Sequence, residues 1–229
     1  TLFGTGTVEV YGDEYVSKYF QKDQIMEVDI QIDAADWEQM MASASEEEFV
    51  TATVVINGDA YQSVRIRPKG NSSLRSVASS TSDRYSFKIN FNDIIKTQTM
   101  AGLTQLNLNN GFSDPSYMRE YLSYQICEEM GVAVPAFSYA AVNVNGEYFG
   151  LYLAVESILE PYLERNFGNI TGDLYKSTGN TLKYNGSDPA DYTGLEVKST
   201  YKNADWDRLI AMLDALNNGG DIEEYLDID

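Results

Sequence analysis

The chain has 229 residues, 43% of them apolar, with 35 acidic against 16 basic residues and a formal net charge of −19. That is enough apolar material for a sizeable core in one domain or two small lobes, while the charge disfavours nucleic acid and anionic lipid as partners and favours basic ones. There is no histidine and a single cysteine, Cys127, which excludes a Ser-His-Asp triad, a Cys-His nucleophile, His-ligated metals, an internal disulfide and a cysteine-rich zinc site within this chain.

Oxygen-ligand chemistry with hard cations survives this cut. No run approaches the roughly 18 apolar residues of a bilayer span. No signal peptide heads the sequence, so any targeting segment is expected to have been removed or to lie outside it. Abundant Tyr, Asn, Ser, Thr and Gly fit a bacterial extracellular protein.

Val28, Ile30 and Ile32 alternate with polar residues, the period-2 pattern of a half-buried strand. Asp33 then predicts an N-cap for a helix carrying Trp37, Met40 and Met41, ended by the acidic run Glu46 to Glu48. Val50 to Ile56 and Tyr61 to Arg67 flank Asn57-Gly58 and predict a β-hairpin. Ser72 to Ser82 is Ser-rich and reads as a mobile loop. Tyr85, Phe87, Ile89 and Phe91 share one face of a further strand, with Ser86, Lys88 and Asn90 on the other.

Asp114-Pro115 predicts the opening of a helix, with Asp as N-cap, Pro at the first position and Gly131 as C-cap. Met118, Leu122, Ile126 and Met130 recur every fourth residue along it, with Glu120, Tyr124 and Cys127 on the other side. Met40, Met41 and this helix's methionines read as core, and Cys127 as a buried thiol. A second hairpin turns at Asn145-Gly146, and its return strand puts Phe149, Leu151, Leu153 and Val155 on one face, ending at Glu156. Beyond Ser157 come a helix from Ile158 to Phe167, short strands near Leu174 to Lys176 and Leu195 to Lys198, an amphipathic helix carrying Trp206, Leu209, Ile210, Leu213 and Leu216, and an acidic tail. The boundary between two lobes is placed near Glu156.

Arg65, Arg67 and Lys69 are spaced by two and project from one strand face, and Lys88 lies on the off-core face of its own strand, so pairing those strands gathers four cations into a ledge. One reading is ordinary surface ion pairs with neighbouring acids. The other is a polyphosphate site, in which Lys69-Gly70-Asn71-Ser72-Ser73 supplies a glycine turn with amides and hydroxyls. Glu120 on its helix is placed either to hold Lys88 across the sheet, as a kinase-like lobe requires, or to pair locally in solvent. The order hairpin, strand lysine, helix glutamate, second hairpin matches a kinase amino-terminal lobe. Asp188-Pro-Ala-Asp191 and the acidic tail are weak Ca²⁺ candidates without a complete EF-hand spacing.

The blocks Arg65-Ile-Arg-Pro-Lys-Gly-Asn-Ser-Ser73, Tyr85 to Phe91, Leu106-Asn-Leu-Asn-Asn110, Asp114 to Leu122, and Val144-Asn-Gly-Glu-Tyr-Phe-Gly-Leu-Tyr-Leu-Ala-Val-Glu156 occur in an order that resembles the CotH family. The resemblance covers roughly residues 25 to 176. It implies an α+β, atypical protein-kinase-like fold: an antiparallel-sheet amino-terminal lobe with a packed helix over residues 1–156, and the start of a helical carboxyl-terminal lobe over 157–229. It further implies transfer of phosphate from ATP, with Mg²⁺ or Mn²⁺, to Ser or Thr of secreted, spore-surface or cell-surface proteins of a bacterium.

By the same resemblance the basic loop around Arg67, Lys69, Gly70 and Ser72 covers the phosphates, Arg65 belongs to the same cofactor-binding set, Lys88 contacts α/β-phosphate oxygens, Glu120 orients Lys88, and Val155 and Glu156 line the adenine hinge through backbone groups. The family's later Asn-Leu-Asp-like and Pro-Trp-Asp-like segments, which carry the catalytic and metal-binding aspartates, have no match here, and residues 221–229 look like the start of the helix leading to them. No catalytic residue and no metal ligand is therefore assigned within the chain, and the chain alone is expected to be inactive. The alternative is a non-catalytic extracellular adhesion or binding module on the same fold.

Overall fold

The computed structural model describes residues 13–168, 172–179, 182–198 and 204–226. The chain divides into two compact units, Thr1–Asn166 and Phe167–Asp229. In the first, α1 (Glu14–Tyr19) and β1 (Met26–Gln31) lead to α2 (Ala34–Ala42). Val28 and Ile30 are fully buried while Glu27 and Gln31 face solvent, the alternation that the sequence predicts. Asp33 caps α2, its Oδ1 accepting from the amides of Ala35 at 2.8 Å and Asp36 at 3.3 Å. Met40 is buried on that helix, and the Trp37 ring lies 5.5 Å from both Phe87 and Phe149.

Six further strands follow: β2 (Val50–Ile56), β3 (Asp59–Lys69), β4 (Ser86–Asn90), β5 (Gln105–Asn109), β6 (Phe137–Val144) and β7 (Glu147–Glu156). They close with β1 into a barrel in the order β1-β2-β3-β4-β5-β7-β6. All neighbours are antiparallel except β1 and β6, which run parallel with Met26 opposite Ala140 and Ile30 opposite Val144. The mainly antiparallel sheet was expected from sequence; its closure was not. Closure leaves no edge strand with unpaired backbone groups.

Both hairpin turns contribute to it. Asn57-Gly58 and Asn145-Gly146 all have positive φ, as a two-residue turn of this kind requires. Each asparagine also reaches β1: Asn57 Oδ1 accepts from the Glu27 amide at 2.8 Å, and Asn145 Oδ1 from the Ile32 amide at 2.9 Å. The strand between the two turns is thereby pinned at both ends.

The Ser-rich segment expected to be a loop contains α3 (Ser72–Ala78), which buries Leu74 and Val77. Two apolar residues three apart suffice to seat one helical face despite the serines around them. After β7, α5 (Glu160–Phe167) brings Arg165 back to Glu156. The Glu156 side chain has no exposure to solvent and is held by Arg165 Nη2 at 2.5 Å, by the Ala136 amide at 2.8 Å and by the Tyr15 hydroxyl. Burial and this carboxylate push the Tyr15 phenol up, which keeps it a donor.

In the second unit, β8 (Tyr175–Ser177) pairs antiparallel with β9 (Leu195–Val197), and α6 (Trp206–Asn218) buries Ile210 and Leu213 with Tyr192. Asp188 caps a short 3₁₀ turn, accepting from the Ala190 amide at 2.9 Å. Of the helix expected over 221–229, a 3₁₀ turn at Glu223–Tyr225 is observed, and 227–229 lie outside the described residues.

Removing one partner of a buried ion pair leaves the other charge uncompensated. Glu156→Gln should therefore lower unfolding free energy by about 3–5 kcal/mol, read as a shifted denaturant midpoint at unchanged slope. A loss below a kilocalorie would show that this carboxylate does not hold β7 in place.

Candidate functional site

Strand parity sorts β3 into an inner row, with Val64 and Ile66 fully buried, and an outer row of Arg65, Arg67 and Lys69. The register places Arg67 directly opposite Lys88 of β4, and Lys88 in turn opposite Asn107 of β5. The expected ledge therefore forms. Part of it is neutralised locally: Arg65 Nε lies 3.6 Å from Asp93, and Arg67 Nη1 contacts Glu47 Oε1 at 2.6 Å while its guanidinium covers the Phe49 ring. For these two arginines the surface ion-pair reading holds.

At the end of β3 the arrangement changes. Lys69 Nζ donates to Asn109 Oδ1 at 2.9 Å, and Asn109 Nδ2 donates to Glu120 Oε1 at 2.6 Å. Lys69, Gly70, Ser73, Asn109 and Glu120 line one cleft of about 430 Å³. Gly70 has φ +132, and a Cβ there would lie 2.6 Å from Ser73 Oγ, so only glycine makes this approach without strain. Ser72, one residue earlier than the lining Ser73, is exposed.

Glu120 thus reaches Lys69, at the end of the ledge, through Asn109. It stands on α4 (Arg119–Glu129), which begins five residues later than Asp114. The delay has a local cause: Tyr117 sits at φ +57, which interrupts helical geometry. Asp114 still acts as a cap, accepting from the amides of Ser116 at 3.1 Å and Arg119 at 2.8 Å. The Ser116 hydroxyl first, and then the Arg119 amide, hold its carboxyl below the usual range.

The face of α4 that packs is not the one read as core. Tyr121 and Tyr124 lie on Phe137, with ring centroids 5.1 and 5.2 Å away, whereas Met118, Leu122, Ile126 and Met130 are exposed and Cys127 is only half-buried. A repeat of four overshoots the 3.6-residue turn, so this set drifts around the helix while the tyrosines stay on the sheet. Val155 packs in the same cluster as Phe137, and its strand is paired on both sides, to Asn107 and to Phe137. The Glu156 amide donates to the Ala136 carbonyl at 2.9 Å. Both residues expected at an adenine-lining hinge are thus inside the ladder.

The residue that reading by charge overlooks is Asn109. Leu106 and Leu108 alternate with Asn107 and Asn109, and that period-2 pattern already places both asparagines on the outer face beside the lysines. Among the described residues no group of three or more His, Cys, Asp or Glu side chains is placed to hold a metal ion, and no helix is long and apolar enough to cross a membrane.

A closed barrel with α4 packed on β6 and a cleft lined by Lys69, Asn109 and Glu120 defines a mixed α and β protein. The family model described as CotH kinase protein matches residues 66–229, and the chain belongs to the CotH family. It is similar to the inner spore coat protein H of Bacillus subtilis strain 168, with 38% identity over 30% of this chain and 19% of that protein. It is also similar to an inner spore coat protein H-like protein of the same organism, with 34% identity over 33% of this chain and 24% of that protein. The match thus spans a quarter or less of either relative.

Burial, and then the neighbouring Glu120 carboxylate, push the Tyr124 phenol up to about 12 from an ordinary 10.0. Because the folded value lies above the unfolded one, the stabilisation is fully present below pH 10.0 and is lost as pH rises toward about 12. Glu120→Gln should bring the Tyr124 titration down while leaving it above 10.0, since burial remains. Tyrosinate absorbance, differenced against Tyr124→Phe, reads this; an unmoved titration would separate Glu120 from Tyr124.

Proposed function

We propose that the protein to which this chain belongs is an ATP-dependent, CotH-like protein kinase acting on Ser or Thr of spore-coat or other secreted proteins, with residues 1–229 supplying its phosphate-binding half. The observation that carries this reading is the convergence of Lys69, Gly70 and, through Asn109, Glu120 on one cleft, beside the Arg67–Lys88 step of the sheet. Family membership supports it. A polyphosphate needs cations, and a backbone that approaches closely; Lys88 and Lys69 supply the first and the Gly70 turn the second. Glu120 orients the lysines through Asn109.

Phosphoryl transfer also needs a base for the acceptor hydroxyl and carboxylates for Mg²⁺ or Mn²⁺. The described residues offer no group of three or more such side chains placed to hold a metal ion, so no metal step is assigned to them. The relatives' names as spore coat proteins support a spore-surface location, and the net charge of −19 supports a basic protein substrate. A second reading, a non-catalytic binding module, is favoured by one observation: Leu122 and Ile126 of α4 and its flanking Met118 and Met130 are all exposed.

Calorimetric titration of ATP, with and without Mg²⁺ or Mn²⁺, into the full-length protein decides between them. Binding is expected, and Lys88→Ala should weaken it about 10–100-fold, as loss of a hydrogen bond to a charged group worth about 1.5–3 kcal/mol, with unfolding unchanged. No heat from the intact protein would favour the binding module, and unaltered affinity in Lys88→Ala would remove that lysine from the phosphate site.

A further inference from the structure

One guanidinium in this acidic chain is seated among aromatic rings and backbone, with no carboxylate against it. Arg84, just before β4, donates through Nη1 to the Tyr117 hydroxyl and through Nη2 to the Leu151 carbonyl at 2.6 Å. Its Cζ lies 5.3 Å from the centroids of both Tyr117 and Tyr152. Its Nε is buried without a hydrogen-bond partner. Beneath it is Gly150 of β7, where a Cβ would lie 3.1 Å from Nε and 3.3 Å from Cζ. Gly150 has no positive φ to explain it, and a glycine inside a strand is destabilising by itself. The close approach of Arg84 is what the position requires.

The same residue grips both ends of the loop that walls the cleft. The Arg84 carbonyl accepts from Asn110 Nδ2, and the Asn110 amide donates to Ser86 Oγ at 3.0 Å, which fixes where the loop begins. The guanidinium fixes Tyr117, where it ends, and the Tyr117 carbonyl accepts from the Tyr139 hydroxyl at 2.8 Å. Between these points Ser113 and Tyr117 both hold positive φ, at 61° and 57°. Such conformations persist only where the surroundings over-determine them. Tyr117 stands two residues before α4, so its position sets where that helix starts and where Glu120 projects.

We propose that Arg84, seated on Gly150, is a positioning residue: it holds the 110–117 loop and the first turn of α4 so that Glu120 meets Asn109 at the cleft. The site it serves is the phosphate site proposed above, but the clamp itself is a property of the fold. Its signature is coupling between two residues far apart in sequence. Gly150→Ala crowds the guanidinium in the native protein, whereas with Arg84→Ala present the added methyl enters space the guanidinium has left.

The test is a double-mutant cycle in the full-length protein, with three readouts: thermal unfolding, hydrogen exchange of the 110–118 amides, and affinity for an ATP analogue. Arg84→Ala is expected to speed exchange at 110–118 while leaving β1 and β2 amides protected, and to weaken nucleotide binding by up to about 10²-fold, the scale of a displacement of about 1 Å. Arg84→Lys, which keeps the charge but not the fork, should recover only part of this. Gly150→Ala should act in the same direction alone and be close to neutral beside Arg84→Ala. Equal effects of Gly150→Ala in both backgrounds, or unchanged exchange at 110–118 in Arg84→Ala, would overturn the clamp. Were the wild-type protein to bind no nucleotide, the phosphate reading would fall while exchange and the cycle still decided the clamp.

Discussion

A carboxylate shut off from water cannot stay ionised unless other groups replace the water it has lost. Glu156 sits at the last position of β7 with no solvent exposure, and its replacements come from three separate parts of the chain: the α1 hydroxyl of Tyr15, the amide of Ala136 entering β6, and the guanidinium of Arg165 on α5. None of these is near it in sequence apart from Arg165. Meeting the charge therefore forces the start, middle and end of the first unit together at one end of β7. Strand β7 lies between β5 and β6, so this single requirement also fixes the part of the barrel on which the cleft and α4 are built.

The outer surface of that part is divided by chemistry. On β6 and β7, Phe137, Leu153 and Val155 face outward and are covered by Tyr121 and Tyr124 of α4. On β3 to β5, the outward residues are Arg67, Lys69, Lys88, Asn107 and Asn109, none of which an apolar helix face could cover without burying unmet polar groups. Helix α4 accordingly stops at the boundary between the two halves, and its one acidic residue in the first turn, Glu120, crosses to Asn109. A cleft is left beside the polar half because the packing that closes the apolar half cannot extend over it.

Much of this was legible in the residues, and the exceptions share a cause. Alternation predicted β1, β3, β4 and the inner and outer rows of the ledge, and the two Asn-Gly turns predicted their hairpins, because period and turn chemistry are local. What failed depended on partners distant in sequence. The parallel pairing of β1 with β6 has no local signature, nor has the role of Glu156 as an anchor buried among them. The α4 stripe was misread because Met118, Leu122, Ile126 and Met130 look like a core face until Phe137 and Tyr139 are known to favour Tyr121 and Tyr124 through ring packing at about 5 Å. The segment from Ser72 was misread from composition, although Leu74 and Val77 were there to anchor a turn of helix.

Glycine at 150 was visible in the sequence, yet nothing local explains it: its φ is ordinary, and its strand would be firmer with a side chain. A left-handed Tyr117 is equally unexplained by its neighbours, and such residues cost about 1–3 kcal/mol each. Taken singly, each is a flaw in an otherwise well-formed barrel. Taken together they have one geometric origin, the passage of the Arg84 side chain over β7 to the end of the loop that precedes α4. Strain placed at two ends of one side chain is stable only if that side chain stays, and it stays because its guanidinium lies between two tyrosine rings with its hydrogen-bond acceptors supplied by backbone and phenol. A lysine, with a compact ammonium and no flat face, could not fill the same space between Tyr117 and Tyr152. The glycine, the left-handed tyrosine and the arginine are for this reason one feature of the fold, and it lies where β7 meets the wall of the cleft.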